Sequence, residues 1–217
     1  MYKDDSPNSS SPAPSDPASL FAEWHSNLVQ QKDITFEEGY TFTLATSSNN
    51  IPTSRQVMLK SYSPAGFIFY SFHTSRKGQD LAKNPHACAY FYWPTVLRQI
   101  RVEGRVETLP IEMADEYWRN RTLDARIVTK SSDQSQPVES RKVLEERIAE
   151  LEKLAEEQGE EAISRPEHWG GFILKPEACE FMDMDEDGSV RRTVFRIREG
   201  EGNEELWDME ESHEELL

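Results

Sequence analysis

Between Thr53 and Gly104 the chain reads TSRQVMLK, then GFIFYSFHTSRKGQDLAKNP, then ACAYFYWPTVLRQIRVEG, and this stretch restricts the possible folds more than any other. Three runs rich in β-branched and aromatic residues alternate with one short helical segment, the pattern of antiparallel strands joined by turns. The cations hold fixed places in it. Arg55 and Lys60 flank Val-Met-Leu, Arg76 and Lys77 follow Ser75 at the helix start, and Arg98, Gln99 and Arg101 enter a strand. A helix N-terminus carrying two cations suits a phosphorylated ligand, because its free N–H groups and dipole add to the side-chain charge. Surface cations also commonly do no more than solvate strand edges, and spacing alone leaves both readings open.

The rest of the chain extends this pattern. Asp16-Pro17 is a cap followed by a first-turn proline, and Leu20, Phe21, Trp24 and Leu28 recur at helical spacing to about residue 31. Residues 40–47 alternate as a half-buried strand, Asn49-Asn50 turns into the next, and Pro64-Ala65-Gly66 turns the following hairpin. Further strands are expected at 87–93, 97–109, 172–175, 178–182 and 191–198, with helices at 110–121 and 140–158 and a polar loop at 124–137. The fold class expected is mainly β with inserted helices, a small antiparallel barrel.

Charge divides the ends from the middle. Residues 1–16 are rich in Ser, Pro and Asp and read as a disordered leader, so that one domain spans 17–198. Nine of the acids behind the formal charge of −16 fall in residues 199–217, which contain no Lys or Arg and read as a disordered acidic tail. Net acidity argues against a nucleic-acid partner, and no apolar run approaches membrane-spanning length, so a cytoplasmic location is expected. Cys88 and Cys179 lie in apolar runs and read as buried thiols. The five histidines lack metal-ligand spacing, so no metal is expected.

The strings SRQVMLK, SRKG, YFYW, RQIRVEGRVE, HWGGFIL and EFM, in this order and at these distances, resemble the pyridoxamine/pyridoxine 5′-phosphate oxidase family from about residue 20 to 196. The resemblance implies an FMN-binding split β-barrel that works as a homodimer with the flavin at the subunit interface. It implies flavin contacts at Arg55, Gln56, Val57, Met58, Leu59, Lys60, Tyr70, Ser71, Arg76, Lys77, Gln99, Gln134, Ser135 and Arg192, and a clamp for the substrate phosphate at Lys60, Tyr117 and Arg121. The activity implied is oxidation of pyridoxine or pyridoxamine 5′-phosphate to pyridoxal 5′-phosphate with dioxygen as acceptor. No single residue is marked out as catalytic.

Four positions depart from the family pattern. Met182 stands where the family has Trp, and Ala125 where it has Ser. Gly188 and Val190 replace an Arg and a His that flank the substrate ring, while Arg191 is a nearby cation that could substitute for them. The Arg-Leu-x-Pro ending of the family is replaced by acids after Trp207. Three readings follow: an active oxidase, a paralogue that binds FMN or the vitamer with little turnover, or a flavin oxidoreductase for another substrate.

Overall fold

The structure, a computed structural model, describes residues 16–132, 134–184, 188–199 and 205–215. Helix α1 (Pro17–Val29) starts where Asp16 accepts from the Ser19 N–H at 2.9 Å, with proline in the first turn. Its apolar stripe seals one end of the barrel. Phe21 is fully buried and meets Phe67, Phe91 and Tyr62 edge-on at 4.7 to 5.0 Å. Burying a side chain of that size contributes about 2–3 kcal/mol. A one-turn helix, α2 (Phe36–Tyr40), leads into the first strand.

The strands are β1 (Thr41–Ser48), β2 (Ile51–Met58), β3 (Ser61–Ser63), β4 (Gly66–Phe72), β5 (His86–Trp93), β6 (Arg98–Thr108), β7 (Trp169–Met184), β8 (Ser189–Glu199) and β9 (Glu205–Glu215). All pair antiparallel in the order β2-β1-β5-β6-β7-β4-β3, with β8 on β7 and β9 on β8. Asn49 and Asn50, both at positive φ, make the tight β1–β2 turn that puts Thr46 opposite Thr53. This is the split β-barrel that the sequence implied.

Strand β7 is the spine of the fold. Its first six residues pair with β4, its last seven pair with β8, and β6 runs along its other edge. The sequence suggested two strands broken near Pro176, but the strand is continuous. A register shift at Glu103/Gly104 falls opposite Pro176 and absorbs the missing proline donor. Gly104 is required there, because a Cβ would lie 1.9 Å from the Lys175 carbonyl oxygen.

Four further α-helices, α3 (Arg76–Lys83), α4 (Ile111–Arg119), α5 (Leu123–Lys130) and α6 (Arg141–Gln158), and two single-turn 3-10 helices complete the described chain. Helix α5 corrects the expected loop at 124–137. Thr122 caps it, and Leu123 and Ile127 pack into a second apolar cluster with Trp118 and Trp169. Its sequence looked polar because Asp124, Arg126 and Lys130 share the same two turns.

The acidic segment also differs from expectation. Residues 205–215 form β9 rather than a disordered tail, in register with β8 along its whole length. Strand β8 carries Arg191, Arg192, Arg196 and Arg198, so an acidic neighbour is electrostatically favoured, and Arg198 pairs with Asp208 at 2.6 Å. Trp207 packs against the main core. The expected leader lies outside the described residues apart from Asp16, which is the cap of α1. Cys179 is buried, and that burial pushes its thiol up to about 12, whereas Cys88 is only half-buried. No helix among the described residues is long and apolar enough to cross a membrane.

Candidate active site

A cavity of about 300 Å³ opens between β4, the β7 start, α4 and the segment after α5. Tyr70 and Ser71 reach it from β4, Lys60 from just beyond β2, and Gln134 from the segment after α5. Tyr117, Tyr70 and Trp169 build an aromatic wall, with ring centroids 4.2 Å apart for the two tyrosines and 5.2 Å for Tyr70 and Trp169. Lys60 Nζ lies 4.4 Å above the Tyr117 ring.

Arg121 was expected on the same helix as Tyr117. Helix α4 instead ends at Arg119, and Arg121 follows the cap, reaching the cavity with its guanidinium 5.1 Å from the Trp169 ring. Its Nη1 is buried with no hydrogen-bond partner, and burial lowers its pKa despite the opposing effect of Tyr117. A buried N–H without an acceptor is costly, so this wall of the cavity is complementary to an anion.

Helix α3 begins beside the cavity. The Ser75 hydroxyl accepts from the Gly78 N–H and donates to the Phe72 carbonyl at 2.7 Å. The Arg76 N–H donates to Ser135 Oγ at 3.2 Å. Lys77 is buried, and its Nζ donates to Ser71 Oγ at 3.0 Å and to Gln134 Oε1 at 2.8 Å. Burial, then the nearby Arg55 charge, push its pKa down to about 8. Arg55 is held from behind by Thr46 and Thr53, and Arg76 by Asp80.

The remaining expected flavin positions on β2 and just beyond divide by the strand alternation. Val57 and Leu59 are buried in the core, so only their main chain faces the site, while Gln56 and Met58 are exposed and Met58 lines the cavity. The Leu59 N–H is already committed to the Tyr40 carbonyl at 2.8 Å.

Gln99 and Arg192 are not in this cluster. They flank Met182 at the far end of β7, directly across from it on β6 and β8. Ser71 pairs with Gly170 and Gln99 with Met182, so the two groups sit twelve residues apart along β7, near its opposite ends. Gln99 accepts from the Tyr90 hydroxyl at 2.6 Å. Arg192 makes a two-pronged bond to Glu180 at 2.9 and 3.1 Å, and Arg101 binds the same carboxylate.

Three of the four departures lie at this second end, and Ala125 lies in the helix beside the first cavity. Val190 is buried, Gly188 has φ +87°, and Ala125 sits in α5. Arg191 does not replace the missing pair. Neighbouring residues in a strand point to opposite faces, and Arg191 shares its face with Asp183, which it binds at 2.7 Å. Asp183 in turn accepts from Arg98 at 3.1 Å, and Arg98 lies over Trp24 on the core side.

The matching family model is described as pyridoxamine 5′-phosphate oxidase and covers residues 30–155. The chain belongs to that family. A Salinibacter ruber pyridoxine/pyridoxamine 5′-phosphate oxidase is 41% identical over 84% of this chain and 81% of its own. The Bos taurus pyridoxine-5′-phosphate oxidase is 38% identical over 83% of this chain and 68% of its own. Among solved structures, PhzG from Burkholderia lata in complex with tetrahydrophenazine-1-carboxylic acid has a TM-score of 0.82 at 27% identity, covering 93% of this chain and 94% of its own. Family membership makes the chain an oxidoreductase of this class on a split-barrel scaffold.

Sequence reasoning missed Thr46, Thr53, Asp80 and Glu180. Asp80 follows Arg76 by four residues on a helix, the one local signal that pointed to it. The others are joined to the site by strand register, which no local pattern reveals.

Proposed function

We propose that this chain is an FMN-dependent oxidase that converts pyridoxine or pyridoxamine 5′-phosphate to pyridoxal 5′-phosphate, with dioxygen as acceptor and hydrogen peroxide as by-product, the amine also taking up water and releasing ammonia. The observation that carries this reading is the buried, unpartnered Nη1 of Arg121 at a cavity shared with Lys60 and Tyr117. Those three side chains offer a dianion a guanidinium, an ammonium and a hydroxyl around an aromatic floor. The cluster of Arg55, Arg76 and Lys77 at the start of α3, with Ser135 and Gln134 alongside, fits the phosphate of FMN by the same chemistry.

When bound, FMN supplies the two-electron chemistry of the reaction. The side chains supply position and charge. Lys60, Tyr117 and Arg121 fix the vitamer by its phosphate, and the aromatic wall of Tyr70, Tyr117 and Trp169 keeps water from one side of the ring. Gln99, Met182 and Arg192 lie at the opposite end of β7 from Ser71. In a homodimer, a second copy would bring its β6–β8 end against the first copy's cavity.

The test is anaerobic addition of pyridoxine 5′-phosphate to the FMN-loaded protein. Bleaching of the yellow flavin, restored by air, is the expected result. A protein that retains no flavin would overturn the reading.

A second reading keeps the flavin chemistry and changes the substrate. The observation in its favour is the binding of Arg191 to Asp183 on the opposite face, which leaves the positions of Gly188 and Val190 without that polar replacement. Bound FMN that stays oxidised with both vitamer phosphates, and bleaches with another anionic ring compound, would favour it.

A further inference from the structure

Asp80 is 3% exposed, yet four groups converge on it. Arg76 Nε donates to one carboxylate oxygen at 2.9 Å. The hydroxyls of Thr46 and Thr53 each lie 3.0 Å from the other oxygen, and Arg55 Nη2 is 3.8 Å from it. The threonines are also bound by Arg55, whose Nη1 donates to Thr46 at 2.8 Å and Nη2 to Thr53 at 2.6 Å. A hydroxyl has one proton, and a guanidinium can only donate. Each threonine therefore gives its proton to Asp80 and presents a lone pair to Arg55. The 3.2 Å approach between the two hydroxyls consequently carries no hydrogen bond of its own.

We infer that Asp80 is the positioning residue for the phosphate-binding cations, orienting Arg76 directly and Arg55 through the fixed polarity of Thr46 and Thr53. The inference rests on the reading of this cluster as the FMN phosphate site. Burial raises the pKa of Asp80, but hydrogen bonds from Arg76, Thr46 and Thr53 and the Arg76 charge outweigh it and hold the carboxyl below its ordinary range. The group thus stays an acceptor at both oxygens. It also offsets part of the repulsion among Arg55, Arg76 and Lys77, which lets three cations gather before any phosphate arrives.

An amide cannot take this place. If the side-chain oxygen of an asparagine here faced the threonines, its NH2 would meet the Arg76 N–H, donor against donor. If the amide were flipped, its NH2 would face the threonines and turn their protons toward Arg55. One arginine loses its orientation in either case. The effect falls on the phosphate end of the ligand, so riboflavin, which lacks the phosphate, serves as an internal control.

Dissociation constants for FMN and riboflavin, read from quenching of flavin fluorescence, test the inference. Wild type is expected to prefer FMN, and Asp80→Asn to weaken FMN binding about 10- to 100-fold, the effect of losing hydrogen bonds to charged groups. Riboflavin should change by no more than about two-fold, the scatter expected when no contact is lost. Should Asp80→Asn fail to fold, Thr53→Val removes one link and is expected to weaken FMN alone, by about 3- to 10-fold. A wild-type preference for FMN that survives these substitutions, or an equal loss of both flavins, would overturn the role of Asp80. Wild type binding both flavins alike would instead overturn the phosphate-site reading beneath it.

Discussion

The two ends of β7 hold the two groups of residues expected to bind ligand, and these match the family pattern to different degrees. At the start of the strand, the expected residues Lys60, Tyr70, Ser71, Lys77, Tyr117, Arg121 and Gln134 are present and interlocked. At its end, Gln99 and Arg192 remain, but Met182, Gly188 and Val190 stand where the family has Trp, Arg and His. The difference follows from how each half is held. Lys77 and Asp80 are buried charges, each satisfied by several neighbours, so changing one strands the others at a cost of about 3–5 kcal/mol. Gly188 and the buried Val190 carry no polar side chain, so an exchange at either position unmakes no network of paired charges. Coupled charged groups resist piecemeal change more than such positions do.

The comparison breaks most directly at Arg121. Arg121→Ala is expected to lower kcat/KM for pyridoxine 5′-phosphate by about 100-fold, mainly through KM, because charged hydrogen bonds to the phosphate are lost. FMN affinity should hold. Steady-state kinetics with a flavin titration check both, and a loss confined to FMN binding would merge the two phosphate sites that this reading separates.

The converse experiment installs the family pattern at the other end. Gly188→Arg with Val190→His is expected to raise kcat/KM about 10-fold if the missing pair served only to orient the ring. Gly188 has φ +87°, a conformation that costs other residues about 1–2 kcal/mol, so the melting temperature should fall as turnover rises. An unchanged kcat/KM with the same fall in stability would favour the second substrate reading.

What the sequence disclosed divides along similar lines. Strand alternation and turn residues were enough for a small antiparallel barrel, because each is local, whereas the expected cavity residues rested on the resemblance of the ordered motifs to the family. Thr46 and Thr53 join the site only through the register set by the Asn49-Asn50 turn. The acidic strand β9 was hidden because its acids look solvated until the arginines of β8 are placed beside them. Pro176 read as a break because the irregularity that accommodates it, the unpaired Glu177 opposite Glu103 and Gly104, shows only once β6 is placed beside β7. The separation of Gln99 and Arg192 from the cavity likewise depends on β7 being one long strand.

Lys77 sharpens the comparison through pH. In the ligand-free protein its pKa is about 8, and a phosphate dianion nearby would raise it, so FMN binding takes up a proton above that pH. FMN affinity should therefore fall about five-fold between pH 8 and pH 9, a dependence that Lys77→Met abolishes. Stability of the ligand-free protein should run the other way. Between pH 8 and the ordinary lysine pKa of about 10.4 the unfolded chain binds the extra proton, so this group's contribution rises with pH across that window. Isothermal titration and denaturant melts at several pH values separate the two slopes.

The smallest expected effect lies at Met182. A thioether packs against an aromatic ring with less area than an indole, yet it adapts to irregular surfaces, so Met182→Trp should tighten flavin binding by only about three-fold. Gln99 and Arg192 sit directly across from it and fix the space on either side. On the proposed reading those contacts go to the flavin ring, so FMN and riboflavin should gain equally, in contrast to Asp80→Asn, where only FMN should respond. If Met182→Trp instead changed the FMN-to-riboflavin ratio, the ring and phosphate ends would not be independent, and the division of the site along β7 would have to be abandoned.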